Sequence, residues 1–482
     1  MRVPAAAVLA IAAIACGTAS STERTSAQAR PAPCAVEGVN GPTLCTTVRV
    51  KESPNSDRAI DLRVIVVQSA SATPAPDPIV ALAGGPGQGA ADLAPIMAQR
   101  LAPYRDQRDL VLIDQRGTGT SNGLWCPPAT TATTLTGALF DRARLTACRD
   151  ALAQHADLTQ YTTTIAARDY AKVFDHLGYK TVNVIGVSYG TRLGLELIRQ
   201  MPDRIRTLTL DAVAPPDFSW PTTGARDADT ALDALINDCS RDEACNTSFP
   251  RLRRDIETAF ARLRRGPVRV SIRDPNTGQN EVVVFGERDL AYATRGALYG
   301  NEALALPGWF RRAAAGDYTP LAQAYVNRAR GLEAQIALGV HFGVYCAEDL
   351  PFVDWADAER AADGTKLGRY LLDEYRKGCD VWPRATIESS FRAPVQSSVP
   401  TLIMSGRRDP VTPPRTGEAV KRTLARSAMV TWPAGGHGSD GQRTAECRVR
   451  IMRAFLRTAN PDSLPVGCAR DESAVQSFVT GR

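Results

Sequence analysis

The stretch Thr181–Met201, TVNVIGVSYGTRLGLELIRQM, decides the reading of this chain. Its first third is apolar and β-branched, the signature of a buried strand. Its last third carries apolar residues at helical spacing. Between them stands Gly186-Val187-Ser188-Tyr189-Gly190, a G-x-S-x-G. Composition alone would give such a pentapeptide about 0.2 times in a chain of this size, so the bare match says little. A strand running in and a helix running out is the context a nucleophile elbow requires, with the serine held in a tight turn. The flanking glycines then let strand and helix approach without a side-chain clash.

Outward from this point, strand and helix patterns alternate, which predicts an α/β fold with a mostly parallel sheet flanked by helices. Strands are expected at Leu44–Lys51, Ile60–Gln68, Pro78–Ala83, Asp109–Ile113, Thr181–Ile185 and Arg206–Leu210. A helix is expected over Thr163–Leu177, stopped by Gly178. After Ala214-Pro215-Pro216 the alternation ceases. From Asp217 to Pro394 the pattern is mainly helical, with strand stretches only near Val268–Ile272 and Glu281–Phe285. Strands return at Pro400–Ser405 and Ala428–Trp432, and a helix follows near Thr444–Leu456. The expected organisation is therefore a core in two parts, 30–216 and 395–482, with an inserted helical cap at 217–394.

A serine hydroxyl needs a base to take its proton, and the chain has four histidines. His176 falls inside an expected helix, His155 in a polar stretch, and His341 in the cap beside Phe342. His437 alone follows the last strand, in the flexible Gly435-Gly436-His437-Gly438, and is the expected base. The carboxylate that orients it is expected at Asp409, after the strand ending at Ser405. Asp211, at the end of the strand after the elbow helix, is the rival. Ser188, Asp409 and His437 in that order match the chain order of α/β hydrolases. The oxyanion needs preorganised N–H donors, expected from Tyr189 and from Gly85 in Gly84-Gly85-Pro86-Gly87. That glycine turn lacks the P-loop pattern and has no lysine nearby. No metal or organic cofactor is called for.

Composition narrows the setting. The net charge of +6 over 482 residues, 22% charged and 44% hydrophobic, is that of an ordinary globular protein. No run of five like charges gives a nucleic-acid footprint. Arg2 precedes an apolar run, Val3–Cys16, too short to span a bilayer, so residues 1–29 read as a secretion signal. Ala27-Gln28-Ala29 offers a cleavage site. Ala13-Ile14-Ala15-Cys16 is the alternative, a lipobox that would lipidate Cys16, but Ala13 is a weak residue at its position. No later segment is long and apolar enough to cross a membrane. Apart from Cys16 there are ten cysteines, and export makes disulfides the default. Their spacing suggests neighbour pairs 34–45, 126–148, 239–245, 346–379 and 447–468.

Several motifs together carry a family resemblance. Gly84-Gly85-Pro86-Gly87-Gln88, Asp114–Gly119 (DQRGTG), Gly186–Arg192 (GVSYGTR), Leu210–Pro216 (LDAVAPP), Cys346–Asp349 (CAED), Asp409–Pro413 (DPVTP) and Gly436-His437-Gly438 form the set. It resembles the secreted prolyl and tripeptidyl aminopeptidases, α/β-hydrolase serine peptidases with a helical cap and a TAP-like C-terminal segment. The resemblance covers about residues 34–470 and implies release of residues or short peptides from free N-termini. Prolyl aminopeptidases usually carry His before the Gly-Gly-Pro-Gly, where this chain has Ala83, so the likeness is to the tripeptidyl branch. Such action needs carboxylates to pair with the substrate's α-ammonium group. Glu302, Glu348 and Asp349 in the cap are the candidates, and Arg116 is expected to anchor its own loop. A carboxylesterase on the same fold is the alternative, because the triad does not choose between ester and amide. A non-catalytic binding protein on this scaffold is the other.

Overall fold

Alternating Val, Ile and Leu runs pair into one sheet in the computed structural model, which describes residues 30–137, 140–438, 445–470 and 477–480. Its strands are β1 (Ala32–Cys34), β2 (Thr43–Lys51), β3 (Ala59–Val67), β4 (Ile79–Leu82), β5 (Leu110–Ile113), β6 (Val182–Val187) and β7 (Ile205–Asp211). After the hairpin β8 (Val268–Arg273) and β9 (Asn280–Phe285), β10 (Thr401–Gly406) and β11 (Ser427–Trp432) complete it. Among the described residues the sheet has nine strands in the order β1-β2-β3-β5-β4-β6-β7-β10-β11. Strands β1 to β3 pair antiparallel and join β5 antiparallel; from β5 to β11 every pair is parallel. The central β4 and β5 are buried at every position, as parallel strands covered on both faces must be. One face carries the helices Ala94–Leu101 and Glu446–Thr458, the other Thr163–Leu177 and Tyr189–Gln200.

The parallel register fixes where chemistry can sit. Leu82 of β4 lies beside Gly186 of β6, Val187 beside Asp211 of β7, and Asp211 beside Met404 of β10. The carboxyl ends of these strands therefore open on one edge, where ligands bind in open α/β sheets.

Most expected elements form close to their expected bounds. The helix Thr163–Leu177 ends on Gly178 at φ 72, the left-handed cap that glycine supplies most easily. The expected strand Thr181–Ile185 continues to Val187, directly under Ser188. The three-residue β1 was not anticipated. It is tied to β2 by the Cys34–Cys45 disulfide. The other four disulfides, 126–148, 239–245, 346–379 and 447–468, also follow the neighbour pairing. Cys16 and the cleavage site at Ala27-Gln28-Ala29 lie outside the described residues.

Between β7 and β10 the chain is helical apart from the β8–β9 hairpin. This cap has a second contributor, residues 126–137 and 140–153 of the first core part. Ala129 N–H donates to Glu333 and Phe140 N–H to Glu374, at 2.8 and 2.9 Å. The Phe140 ring packs edge-on against Phe342 and Tyr375. Among the described residues no helix is long and apolar enough to cross a membrane.

Candidate active site

Ser188 follows β6 at φ 57, ψ −125, a strained conformation for a residue with a side chain. The turn is held by Ser188 N–H donating to Asp211 O at 3.0 Å and by Thr191 N–H donating back to Ser188 O at 2.9 Å. The two flanking glycines are obligatory here. A Cβ on Gly186 would stand 2.4 Å from Gly190 O, and one on Gly190 would stand 2.4 Å from Leu82 O.

His437 is aimed by its own glycine loop. A Cβ on Gly435 would meet Gly406 Cα at 2.8 Å, and one on Gly436 would meet Tyr299 O at 2.5 Å. His437 N–H donates to Tyr299 O at 2.7 Å, so a cap residue fixes the imidazole's backbone. Nδ1 of His437 sits 2.9 Å from Asp409 Oδ2 and 3.1 Å from Oδ1. Asp409 is almost wholly buried and accepts from Val411 N–H, Thr412 N–H and the Thr412 hydroxyl at 2.8, 2.9 and 2.7 Å. Burial alone would raise this carboxyl. The His437 partner and the Thr412 donors outweigh it and hold Asp409 below the ordinary carboxylate range. The rival Asp211 does not take the imidazole. Its carboxylate faces Arg448 at 3.8 Å and the position a Cβ on Gly438 would occupy.

A cavity of about 1220 Å³ opens at this edge, and Ser188, His437, Tyr189 and Gly85 all line it. Gly85 adopts φ +107, and a Cβ on the adjacent Gly84 would touch Ser188 Cβ at 3.3 Å, so the glycine turn lies against the serine. As the first residue of its helix, Tyr189 has an N–H with no intrahelical acceptor. The cap braces the glycine turn from above. Ala337 N–H donates to Gly87 O at 2.9 Å, and His341 Nδ1 lies 3.1 Å from Pro86 O. Burial lowers His341 to about 4, which keeps it neutral.

The three cap acids separate. Glu302 is exposed and lines the cavity. Asp349 also lines it but is buried and paired with Arg192 at 2.9 Å. Glu348 is fully buried and absent from the lining. It accepts from Thr163 N–H at 2.7 Å and the Thr163 hydroxyl at 2.8 Å, and pairs with Arg192 at 3.5 Å. Thr163 also contacts the Tyr189 hydroxyl at 2.9 Å. Glu348 thus buttresses the helix that follows Ser188 instead of facing a substrate. Its CAED neighbour Asp349 differs because one register step turns it to the cavity. Arg116 is buried on Asp169 at 2.6 Å, an anchor as expected.

Burial raises Glu348 to about 7. Between the ordinary value of 4.5 and 7 the folded chain holds a proton that the unfolded chain has lost, so stability falls as pH rises through that window. Glu348→Gln should remove this loss. Tm followed from pH 5 to 8 should fall for the wild type by a few degrees more than for the variant; parallel curves would show that Glu348 does not titrate there.

The sequence reading did not assign Thr412, Tyr299, Arg192 or Thr163. Thr412 was legible in principle: an acid followed three residues later by Thr in a turn is the pattern of an Asx-type cap. The Tyr299 contact was not, because it joins residues 138 apart through a backbone oxygen.

The family model described as alpha/beta hydrolase fold matches residues 77–235, and that described as TAP-like protein matches residues 365–468. The chain has the α/β-hydrolase fold, with a segment similar to TAP-like proteins in its C-terminal part. Among curated proteins, this α/β hydrolase is similar to the tripeptidyl aminopeptidase of Streptomyces lividans, 27% identical over 331 residues, 65% of this chain. It spans only 59% of that relative's length. It is also similar to the serine protease Hip1 of Mycobacterium tuberculosis, 23% identical over 392 residues, covering 73% of this chain and 74% of that one. Among solved structures, the proline iminopeptidase of Mycobacterium smegmatis matches with a TM-score of 0.43 at 16% identity, over 86% of this chain and 98% of the other.

Proposed function

We propose that this chain is an exported serine aminopeptidase that releases short peptides, of the tripeptidyl type, or single residues from free N-termini. In this reading Ser188 attacks the scissile carbonyl, and His437 takes the serine proton through Nε2, the nitrogen opposite its Asp409 bond. His437 then gives the proton to the leaving amine. Asp409 holds the imidazole and favours its charged form, with Thr412 fixing the carboxylate. The N–H groups of Tyr189 and Gly85 receive the oxyanion, and water completes the cycle by hydrolysing the acyl-enzyme.

The observation that carries this reading is the Asp409–His437 pair at 2.9 Å, opening on the same cavity as a serine in an elbow conformation. The peptidase assignment draws on the curated relatives, whose names are tripeptidyl aminopeptidase and serine protease. In this reading Glu302, exposed on the cavity wall, meets the substrate's α-ammonium group, while Asp349 on the same wall is already paired with Arg192. Five disulfides fit an oxidising compartment, either outside the cell or in the periplasm, with a lipid anchor at Cys16 as the alternative to simple cleavage.

The test is one fluorogenic tripeptide amide ending in proline, offered with its N-terminus free or acetylated. The free peptide should be cleaved at least about tenfold faster, the value of one charge-assisted contact. Equal rates would remove the amine-recognition reading, and hydrolysis of blocked esters alone would make the enzyme a carboxylesterase.

A further inference from the structure

Two arginines on the cavity wall have no acid of their own. Arg295 Cζ stands 4.5 Å from the centroid of the Trp220 ring and 5.1 Å from that of Tyr299. Arg328 Cζ lies 4.0 Å from the Tyr299 centroid. Arg295 Nη2 donates to the Tyr299 hydroxyl at 2.8 Å, while its buried Nε has no hydrogen-bond partner among the described residues. No carboxylate lies within 4.0 Å of either guanidinium among the described residues. The nearby acids of the cavity are engaged elsewhere: Asp349 with Arg192, and Glu333 with Arg144 and Arg330. Glu302 is near enough to act on Arg328 through space but does not pair with it.

Two like charges so placed repel each other and are partly stripped of water. Burial first, with the Arg295 charge adding to it, holds Arg328 below the ordinary arginine range against the pull of Tyr299 and Glu302. An anion entering the cavity relieves both costs at once, and a guanidinium presents its donors in a fork that suits a carboxylate. The location ties this charge to the chemistry. The Tyr299 ring carrying both arginines is 4.9 Å, centroid to centroid, from the His437 ring, and its carbonyl accepts the His437 N–H.

We propose that Arg295 and Arg328 form a carboxylate-binding subsite of the substrate cavity, making the enzyme selective for peptides with an acidic group close to the scissile bond. The carboxylate comes either from an Asp or Glu side chain or from the C-terminus of a short peptide. This specificity rests on the peptidase reading above, whereas the anion site itself does not.

Free-amine tripeptide amides carrying Glu or Gln at each position in turn, and pentapeptides ending in carboxylate or amide, separate the two sources. For one of these pairs the acidic member should show about tenfold higher kcat/KM, a preference that shrinks several-fold between about 0.05 and 0.5 M salt. Arg295→Gln and Arg328→Gln should each bring that ratio towards one, and Arg328→Lys should restore part of it. Because the readout is a ratio within one protein, partial misfolding does not mimic it. A ratio of one or less for every pair in the wild type, or one that survives both Gln variants, overturns the subsite.

Protection of the nucleophile from a fluorophosphonate, by N-acetylglutamate against its uncharged diamide N-acetylglutaminamide, reads the site without turnover. Selective protection by the glutamate in an enzyme that cleaves no peptide would end the peptidase reading and keep the subsite. Rapid peptide cleavage with no acidic preference and equal protection would do the reverse.

Discussion

Ser188→Ala is expected to lower kcat by at least about 10⁴-fold and to abolish labelling by a fluorophosphonate, with Tm little changed. The side chain lost is one oxygen in a half-buried position. The elbow is held by backbone bonds to Asp211 O and from Thr191 N–H, which alanine leaves in place. His437→Ala should fall to the same floor, and the double variant should fall no further, because a nucleophile without its base and a base without its nucleophile fail at the same step. Losses that multiplied in the double variant would mean that the two residues act independently. Retained labelling of Ser188→Ala would place the nucleophile elsewhere.

This expectation and the reading of the rest of the site rest on unequal amounts of sequence information. The elbow was legible because its constraints are local. Strand, serine and helix are contiguous, and both glycines are demanded by contacts that a Cβ would break. Parallel strands of continuous apolar residues were legible for the same reason, and so were the disulfides, whose partners are sequence neighbours. The substrate side was not. Glu348 and Asp349 are adjacent in sequence, yet one is sealed under the elbow helix on Thr163 and the other reaches the cavity. Both pair with Arg192, and only the direction each takes from the folded chain separates them. The arginines on Tyr299 gave no signal either, since arginine is abundant here and only the fold brings Arg295 to Trp220 and Arg328 to Tyr299.

The acid is where local pattern and geometry converge most usefully, since two aspartates end neighbouring strands on the same edge. Asp409→Asn is expected to reduce kcat by about 10³–10⁴-fold, and Asp211→Asn by less than about tenfold. Asp409 places both oxygens within 3.1 Å of His437 Nδ1, and an ionised carboxylate there accepts the Nδ1 proton and leaves Nε2 free to act as the base. An asparagine amide can instead donate to Nδ1, which moves the imidazole proton to Nε2, the wrong nitrogen for taking the proton of Ser188. Asp409 keeps its charge in spite of burial because His437 and Thr412 hold it below the ordinary range, so wild-type activity should not be lost through protonation of this acid near pH 5. Asp211 lies beside Gly438, next to His437 in the same loop. Its backbone oxygen supports Ser188 and its carboxylate faces Arg448, so the Asn variant keeps the first contact and weakens the second. Measuring kcat for both variants, with Tm as the check on folding, separates the two acids. A larger loss for Asp211→Asn would transfer the orienting role to the end of β7 and leave Asp409 as a structural brace for the Thr412 turn.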